Sequence, residues 1–337
     1  MKLALHQFDL PLKHTWTISR GSTDVRRTLI VELRQNGISG FGEATENAYY
    51  GATIDNISAA LRRVEPLLES RKLGDPAELW TELCSELADS TFAQSALDLA
   101  AHDLWGKLLG RPVWELWGLD LKDSPPSDYT IGIDSIERMV EKLDEFAGWP
   151  VYKIKLGTPD DLEIIRALRT HTDAPFRVDA NCAWTVEETI EKSRLLAGLG
   201  VQFIEQPLPA DDWDGMQRVF RHSALPLVAD ESCRYESDVE RCGDCFHGIN
   251  IKLMKCGGLT PARRMIDRAR ELGLKVMVGC MTESTVGISA IAQLLPLLDY
   301  VDMDGPLLLA RDIASGVSFD RGRVIYPPEP GCGVRLL

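Results

Sequence analysis

From about residue 127 the chain alternates short apolar or β-branched runs with helical stretches, at a spacing of roughly 25 residues, which is the pattern of repeated strand–helix units. The runs are SDYTIGI, VYKIKLG, FRVDAN, VQFIEQP, LPLVADES, GINIKLM, KVMVGC and YVDMDG. Eight such units close naturally into a parallel barrel, so the pattern predicts an α/β fold of the (β/α) TIM-barrel type. Between the runs lie helix signals. Thr260-Pro261 reads as an N-cap followed by an N1 proline, leading into ARRMIDRARELG with Gly273 as the stop.

The pleat sorts the charges. Side chains alternate between the faces of a strand, so Tyr152, Ile154 and Leu156 share the face that packs on helices, while Val151, Lys153 and Lys155 point into the barrel. The same parity sends Arg177, Asp179 and Asn181 inward on the third run, and Phe203 with Glu205 inward on the fourth. Asp230 ends the fifth run, Lys252 shares a face with Asn250 on the sixth, and Asp302 shares one with Asp304 on the eighth. Every one of these charges is expected near the C-terminal end of its strand, where a barrel of this kind carries its active site. Buried salt bridges that only hold the mouth together are the competing account, and such pairs are a weak source of stability.

Composition narrows the chemistry. At 337 residues the chain exceeds what one core usually supports, so a barrel of roughly 200 residues with a smaller attached domain is expected. Acidic residues outnumber basic ones 51 to 37, which argues against nucleic acid as a partner and in favour of a small, metal-bound substrate. The opening MKLALHQFDLPLKH meets His6, Gln7 and Asp9 before a signal-type apolar region develops, and no apolar run approaches the roughly 18 residues of a membrane span. The eight cysteines are scattered as reduced thiols are, and Cys242-Gly-Asp-Cys245, with no second pair at zinc-site spacing, reads as a loop. These features predict a cytoplasmic protein, with self-association into a homo-oligomer left open.

Asp179, Glu205 and Asp230 on adjacent strands are hard oxygen ligands of the kind Mg²⁺ or Mn²⁺ prefers, and the absence of a histidine beside them disfavours zinc. Lys153 and Lys155 on the second strand face Lys252 on the sixth across that centre. A neighbouring cation and a bound metal depress a lysine toward a useful basicity, and Lys153 is placed to act so on Lys155. A metal that holds a substrate carboxylate stabilises the enediolate formed when the α-proton leaves, and lysines on opposite faces permit removal from one side and return from the other. Lys255, a short step beyond Lys252, is the competing base on the sixth strand.

Lys153-Ile-Lys155, Asp179-Ala-Asn181, Glu205-Gln-Pro207, Asp230-Glu-Ser232 and Asn250-Ile-Lys252, in this order, resemble the muconate-lactonizing-enzyme subgroup of the enolase superfamily. The resemblance implies a modified barrel over residues 121–310, an N-terminal α+β capping domain over 1–120, and a C-terminal segment, 311–337, returning to the cap. It implies Asp179, Glu205 and Asp230 as metal ligands, Lys155 and Lys252 as the opposed acid–base pair, and Lys153 beside the substrate carboxylate. KVMVGCMTES lacks the histidine that the mandelate-racemase subgroup carries on its seventh strand.

Within the subgroup, Asp302-Met-Asp304 resembles the DxD motif with which dipeptide epimerases hold the substrate's α-ammonium group, and two inward carboxylates suit that cation. Turn capping is the bland alternative for the pair. Arg20, in the segment corresponding to the first capping loop, resembles the arginine that meets a glutamate side chain in Ala-Glu epimerases, with a plain surface arginine as the alternative. The second loop, Glu46 to Gly51, offers aromatic walls through Tyr49 and Tyr50. The expected activity is therefore Mg-dependent epimerisation of a dipeptide at its C-terminal residue, L-Ala-D/L-Glu being preferred. N-acylamino-acid racemase, o-succinylbenzoate synthase and muconate cycloisomerase are the alternatives within the subgroup. A Schiff-base aldolase using Lys252 and a non-catalytic binding protein are those outside it.

Overall fold

Alternation in the first 45 residues builds an antiparallel sheet of three strands, β1 (Lys2–Ile18), β2 (Gly21–Gln35) and β3 (Ile38–Thr45), in the order β1-β2-β3. The computed structural model describes residues 1–337. The hairpin between β2 and β3 turns at Asn36 and Gly37, both left-handed (φ 54° and 80°), as the tight primed turns of twisted hairpins require. Helices α1 (Ile54–Glu69), α2 (Pro76–Leu83) and α3 (Thr91–Leu109) cover the sheet. Gly40 and Gly42 let α3 lie directly on β3, because a Cβ at either position would run into the helix backbone. Buried Leu29, Val31 and Leu33 of β2 pack with Ile57, Leu61 and Val64 of α1 and Ala96, Ala100 and Leu104 of α3 in a second core separate from that of the barrel.

The eight predicted runs form eight parallel strands: β4 (Tyr129–Ile131), β5 (Tyr152–Lys155), β6 (Phe176–Asp179), β7 (Val201–Glu205), β8 (Leu227–Ala229), β9 (Gly248–Ile251), β10 (Lys275–Gly279) and β11 (Tyr300–Asp302). Seven ladders join them in sequence. Between β11 and β4 the backbone pairing is reduced to the bridge of Ser127 with Val301 and the bond from Asp128 N to Val301 O (3.2 Å), so the barrel is nearly closed. Phe203, Val228 and Met277 plug its floor. The largest core lies between strands and outer helices, where Tyr152, Ile154, Phe176, Val178 and Ile204 point as the alternation requires.

Two sequence expectations are corrected here. Arg177 does not stand at the rim. It lies low in the barrel, paired with Asp128 (2.8 Å) and stacked 4.8 Å from the Tyr300 ring, because it is two residues before Asp179 on a strand that rises through the interior. The helix Leu259–Glu271 starts two residues earlier than Thr260-Pro261 suggests, with Gly258 (φ 122°) as its N-cap. Thr260 is held instead from outside: its N–H and Oγ1 donate to Asp98 of α3 (2.8 and 2.7 Å), so a carboxylate of the cap satisfies a barrel helix terminus. Gly273 (φ 73°) follows the helix end as expected.

The same device recurs at the helix Thr285–Ala292. Glu43 of β3 accepts from Ser284 N (3.1 Å), Ser284 Oγ (2.6 Å) and Gly287 N (2.9 Å), all at that helix's N-terminus. The C-terminal segment lies against α3: Cys332 N donates to Asp103 (2.8 Å), and Lys107 Nζ donates to Val334 O (2.9 Å). No helix is long and apolar enough to cross a membrane.

Glu283 adjoins this cap–barrel seam. Burial, and then the neighbouring Glu43 carboxylate, push its carboxyl up to about 8. The folded protein thus keeps a proton that the unfolded chain releases near the ordinary glutamate value, so stability falls as pH rises from about 4.5 through about 8. Glu283→Gln keeps the acceptor for Met281 N (2.9 Å) without the ionisation. Its melting temperature is expected to exceed that of the wild type at pH 9, with the gap closing toward pH 5. A gap of constant size across a pH series of thermal melts would contradict this.

Candidate active site

The rim of the barrel collects the charges that the pleat sends inward. Asp179, Glu205 and Asp230, at the ends of β6, β7 and β8, are fully buried, and one oxygen from each lies within 4.8 Å of the others. Cations are interleaved with them. Lys155 Nζ is 2.6 Å from Asp179 and Lys252 Nζ is 2.8 Å from Asp230, on opposite sides of the cluster. Lys153 lies deeper, 2.9 Å from both Glu205 and Asp302 and 3.3 Å from Asp179. Desolvation works against the charged form of each of these groups, and the opposite charges a few ångströms away act against that cost.

The backbone that presents them is strained. Asn181, Cys182 and Gln206 hold left-handed φ angles of 44°, 67° and 34° just beyond β6 and β7, where L-residues rarely settle. Local bonds compensate. Asn181 N donates to Asp179 (2.9 Å), turning the loop back over its own carboxylate. Gln206 saturates its amide: Oε1 accepts from Asp230 N and Ser232 N (both 3.0 Å), while Nε2 donates to Leu208 O and Ser232 Oγ (both 2.9 Å). It therefore ties the β7 loop to the β8 loop and sets the height of Asp230. Asn250 Nδ2 donates to Glu205 (2.8 Å) and orients that carboxylate. Neither amide was singled out from the sequence as a positioning residue. Both lie inside the motifs quoted above, but their bonds cross between strands.

The electrostatics follow from this interleaving. Burial would raise Asp179 and Asp230, yet the lysines beside them hold both carboxyls below the usual range. Glu205 is pushed up to about 7, first by burial and then by Asp179. Its Oε2 lies 2.9 Å from the Lys153 ammonium. Three hard carboxylate donors converging within 4.8 Å of one another fit a Mg²⁺-type ion. The lowering of a lysine by its neighbours does not arise from these side chains alone. Burial would lower Lys252, but Asp230 and the other carboxylates hold it above the ordinary lysine value.

Strand eight supplies the other wall. Asp302 accepts from Lys153 (2.9 Å) and Thr130 Oγ1 (3.3 Å), and Asp304 accepts from Thr130 N (2.6 Å). Although Asp304 stands at the N-cap of the short helix Gly305–Leu308, its side chain makes no capping bond, so turn capping does not account for the pair. Both aspartates line a cleft together with Lys155, Lys252 and the cap residues Trp16, Arg20 and Tyr50. Arg20 reaches the cleft as well, and is not a plain surface residue: it pairs with buried Glu231 (2.7 Å), donates to Asn181 O (3.1 Å) and covers the Tyr49 ring. Lys255 is not in the cleft. Its Nζ is fully enclosed by Asp230 Oδ1 (2.6 Å), Asp230 O (2.5 Å), Cys233 O (2.9 Å) and Asn250 O (3.1 Å).

Residues 135–337 match the family model of the Enolase C-terminal domain-like group, and residues 5–118 match that of the Mandelate racemase / muconate lactonizing enzyme N-terminal domain. The chain belongs to the enolase superfamily. The L-Ala-D/L-amino acid epimerase of Flavobacterium johnsoniae is 55% identical to it over 337 residues, 100% of each chain. The substrate-liganded L-Ala-D/L-Glu epimerase from Bacillus subtilis superposes with a TM-score of 0.94 at 27% identity, over 99% of both chains. The dipeptide epimerase from Methylococcus capsulatus, complexed with Mg and L-Arg-D-Lys, superposes with a TM-score of 0.91 at 35% identity, again over 99% of both.

The two sixth-strand lysines are separable by stability. Lys255→Ala strands Asp230 Oδ1 and three backbone carbonyls in a dry site, a loss on the order of 3–5 kcal/mol for a broken buried pair. Its denaturant midpoint is expected to fall well below that of Lys252→Ala, which opens onto the cleft. Equal midpoints in parallel urea titrations would remove the structural role of Lys255.

Proposed function

We propose that the protein is a Mg²⁺-dependent dipeptide epimerase that transfers a proton at the α-carbon of the substrate's C-terminal residue. The observation that carries this is the pair of lysines, Lys155 and Lys252, set on opposite sides of three converging carboxylates in a cleft whose far wall bears Asp302 and Asp304. Asp179, Glu205 and Asp230 are the residues to hold Mg²⁺. When bound, the ion supplies positive charge to a substrate carboxylate and to the negative charge that grows there as the α-proton leaves.

The side chains do the rest. Lys155, as the free amine, takes the α-proton from one face, and Lys252, as the ammonium, returns one to the other; for the opposite epimer the roles exchange. Lys153, bonded to both Glu205 and Asp302, is a fixed positive charge at the floor of the site beside the carboxylate-binding region. Asp302 and Asp304 take the free ammonium group. Arg20, Tyr50 and Trp16 close the cleft from the cap and keep water from the enediolate. L-Ala-D/L-Glu is the first substrate pair to test, and the relative named for L-Ala-D/L-amino acids supports testing other second residues beside it. The division into a cap (1–120), a barrel (121–310) and a returning segment (311–337) is part of this reading, and so is a cytoplasmic location, which the eight free cysteines support. A Schiff-base aldolase would leave the three converging carboxylates without a task.

Proton exchange tests the mechanism. In D₂O with Mg²⁺, the wild type is expected to label the α-carbon of both epimers of L-Ala-Glu. Lys155→Ala and Lys252→Ala should each abolish epimerisation while retaining exchange of opposite epimers, read by NMR or mass spectrometry. If both variants exchange both epimers equally, opposed bases are not at work.

N-acetylation tests the far wall. Losing charge-assisted bonds worth about 1.5–3 kcal/mol each should cost tenfold or more in kcat/KM for an N-acetyl dipeptide. Asp302→Asn should shrink that penalty. A wild type that prefers N-acyl amino acids, with Asp304→Asn unaffected, would return the assignment to an N-acylamino-acid racemase.

A further inference from the structure

A second arginine faces the cleft, and it differs from Arg20 in having nothing to do. Arg26, on β2, lines the cavity beside Asn47 and Tyr50. Its Nε is shielded from solvent without a hydrogen-bond partner, and its guanidinium enters no ion pair. Burial holds it below the ordinary arginine value, with only the charge of Glu46 acting the other way. Glu46 itself is bonded to Arg27 (3.5 Å). Arg20, by contrast, is neutralised by Glu231 at 2.7 Å and spends a further donor on Asn181 O.

A half-buried cation without a counter-ion is costly, and a ligand that brings the missing charge lowers that cost. The planar five-donor fork of arginine matches a carboxylate in particular. The cleft already assigns its other groups: carboxylates for the metal, lysines for the proton, Asp302 and Asp304 for the ammonium. From this we infer that Arg26 is a specificity-determining residue, binding a side-chain carboxylate of the dipeptide and repelling a cationic side chain. The inference rests on the dipeptide-epimerase reading and deepens it. The carboxylate comes either from the first residue or from the second, and charge-matched pairs distinguish the two.

The experiment measures kcat/KM for L-Ala-L-Glu against L-Ala-L-Gln, and for L-Glu-L-Ala against L-Gln-L-Ala, in the wild type and in Arg26→Met, Arg26→Lys and Arg20→Met. In the wild type the acid is expected to exceed its amide by about tenfold or more in one of the two pairs, which names the position. Arg26→Met should bring that ratio to near one, Arg26→Lys should restore part of it, and Arg20→Met should leave most of it. A merely structural arginine would lower the acid and the amide alike. Ratios near one in the wild type, or a ratio that survives Arg26→Met, overturn the inference while the epimerase reading stands. Failure to turn over any dipeptide sinks both.

Discussion

Three carboxylates share the mouth of this barrel only because cations stand between them. In a dry site each acid would otherwise take up a proton, and the oxygens would repel one another at less than 5 Å. Lys153, Lys155, Lys252 and Lys255 divide that charge. Two of them, Lys153 and Lys255, are sealed in, and two, Lys155 and Lys252, border the cleft. The enclosed pair supplies fixed positive charge among the acids, and the bordering pair faces the cleft. Chemistry and stability therefore use the same ion pairs, and a substitution at the centre disturbs both.

Holding this arrangement requires rigid loops. The left-handed angles at Asn181, Cys182 and Gln206 are a cost carried by the barrel, and Gln206 offsets it by joining two consecutive loops through three bonds. The cap contributes in the same way from outside. Asp98 and Glu43 each serve the N-terminus of a barrel helix, so the sheet that carries Arg20 and Arg26 is fixed in position over the mouth. The cleft is thus lined from both units, with buried carboxylates setting the distance between them.

Much of this was legible in the sequence. The eight strands and their order follow from hydrophobic alternation, and the inward face of each follows from parity, as Lys153 and Lys155 illustrate. These are local properties, since the pleat has a period of two whatever the strand packs against. The motifs at strand ends named the carboxylates and lysines for the same reason. Parity fixes a face and not a height, which is why Arg177 was expected at the rim and lies low against Asp128.

What only the tertiary structure decided are the partners across elements. No spacing rule ties Thr260 to Asp98, Gln206 to Asp230, or Lys255 to the carbonyls of Cys233 and Asn250. Arg20 and Arg26 look equivalent in the chain, six residues apart, one in the turn between β1 and β2 and the other on β2. The fold gives one of them a buried glutamate and leaves the other facing the cleft without a counter-charge. Side-chain periodicity is a one-dimensional property of the backbone and can be read from the chain. Charge compensation in a low-dielectric interior depends on three-dimensional distances, and those exist only once the barrel has closed and the cap has docked on it.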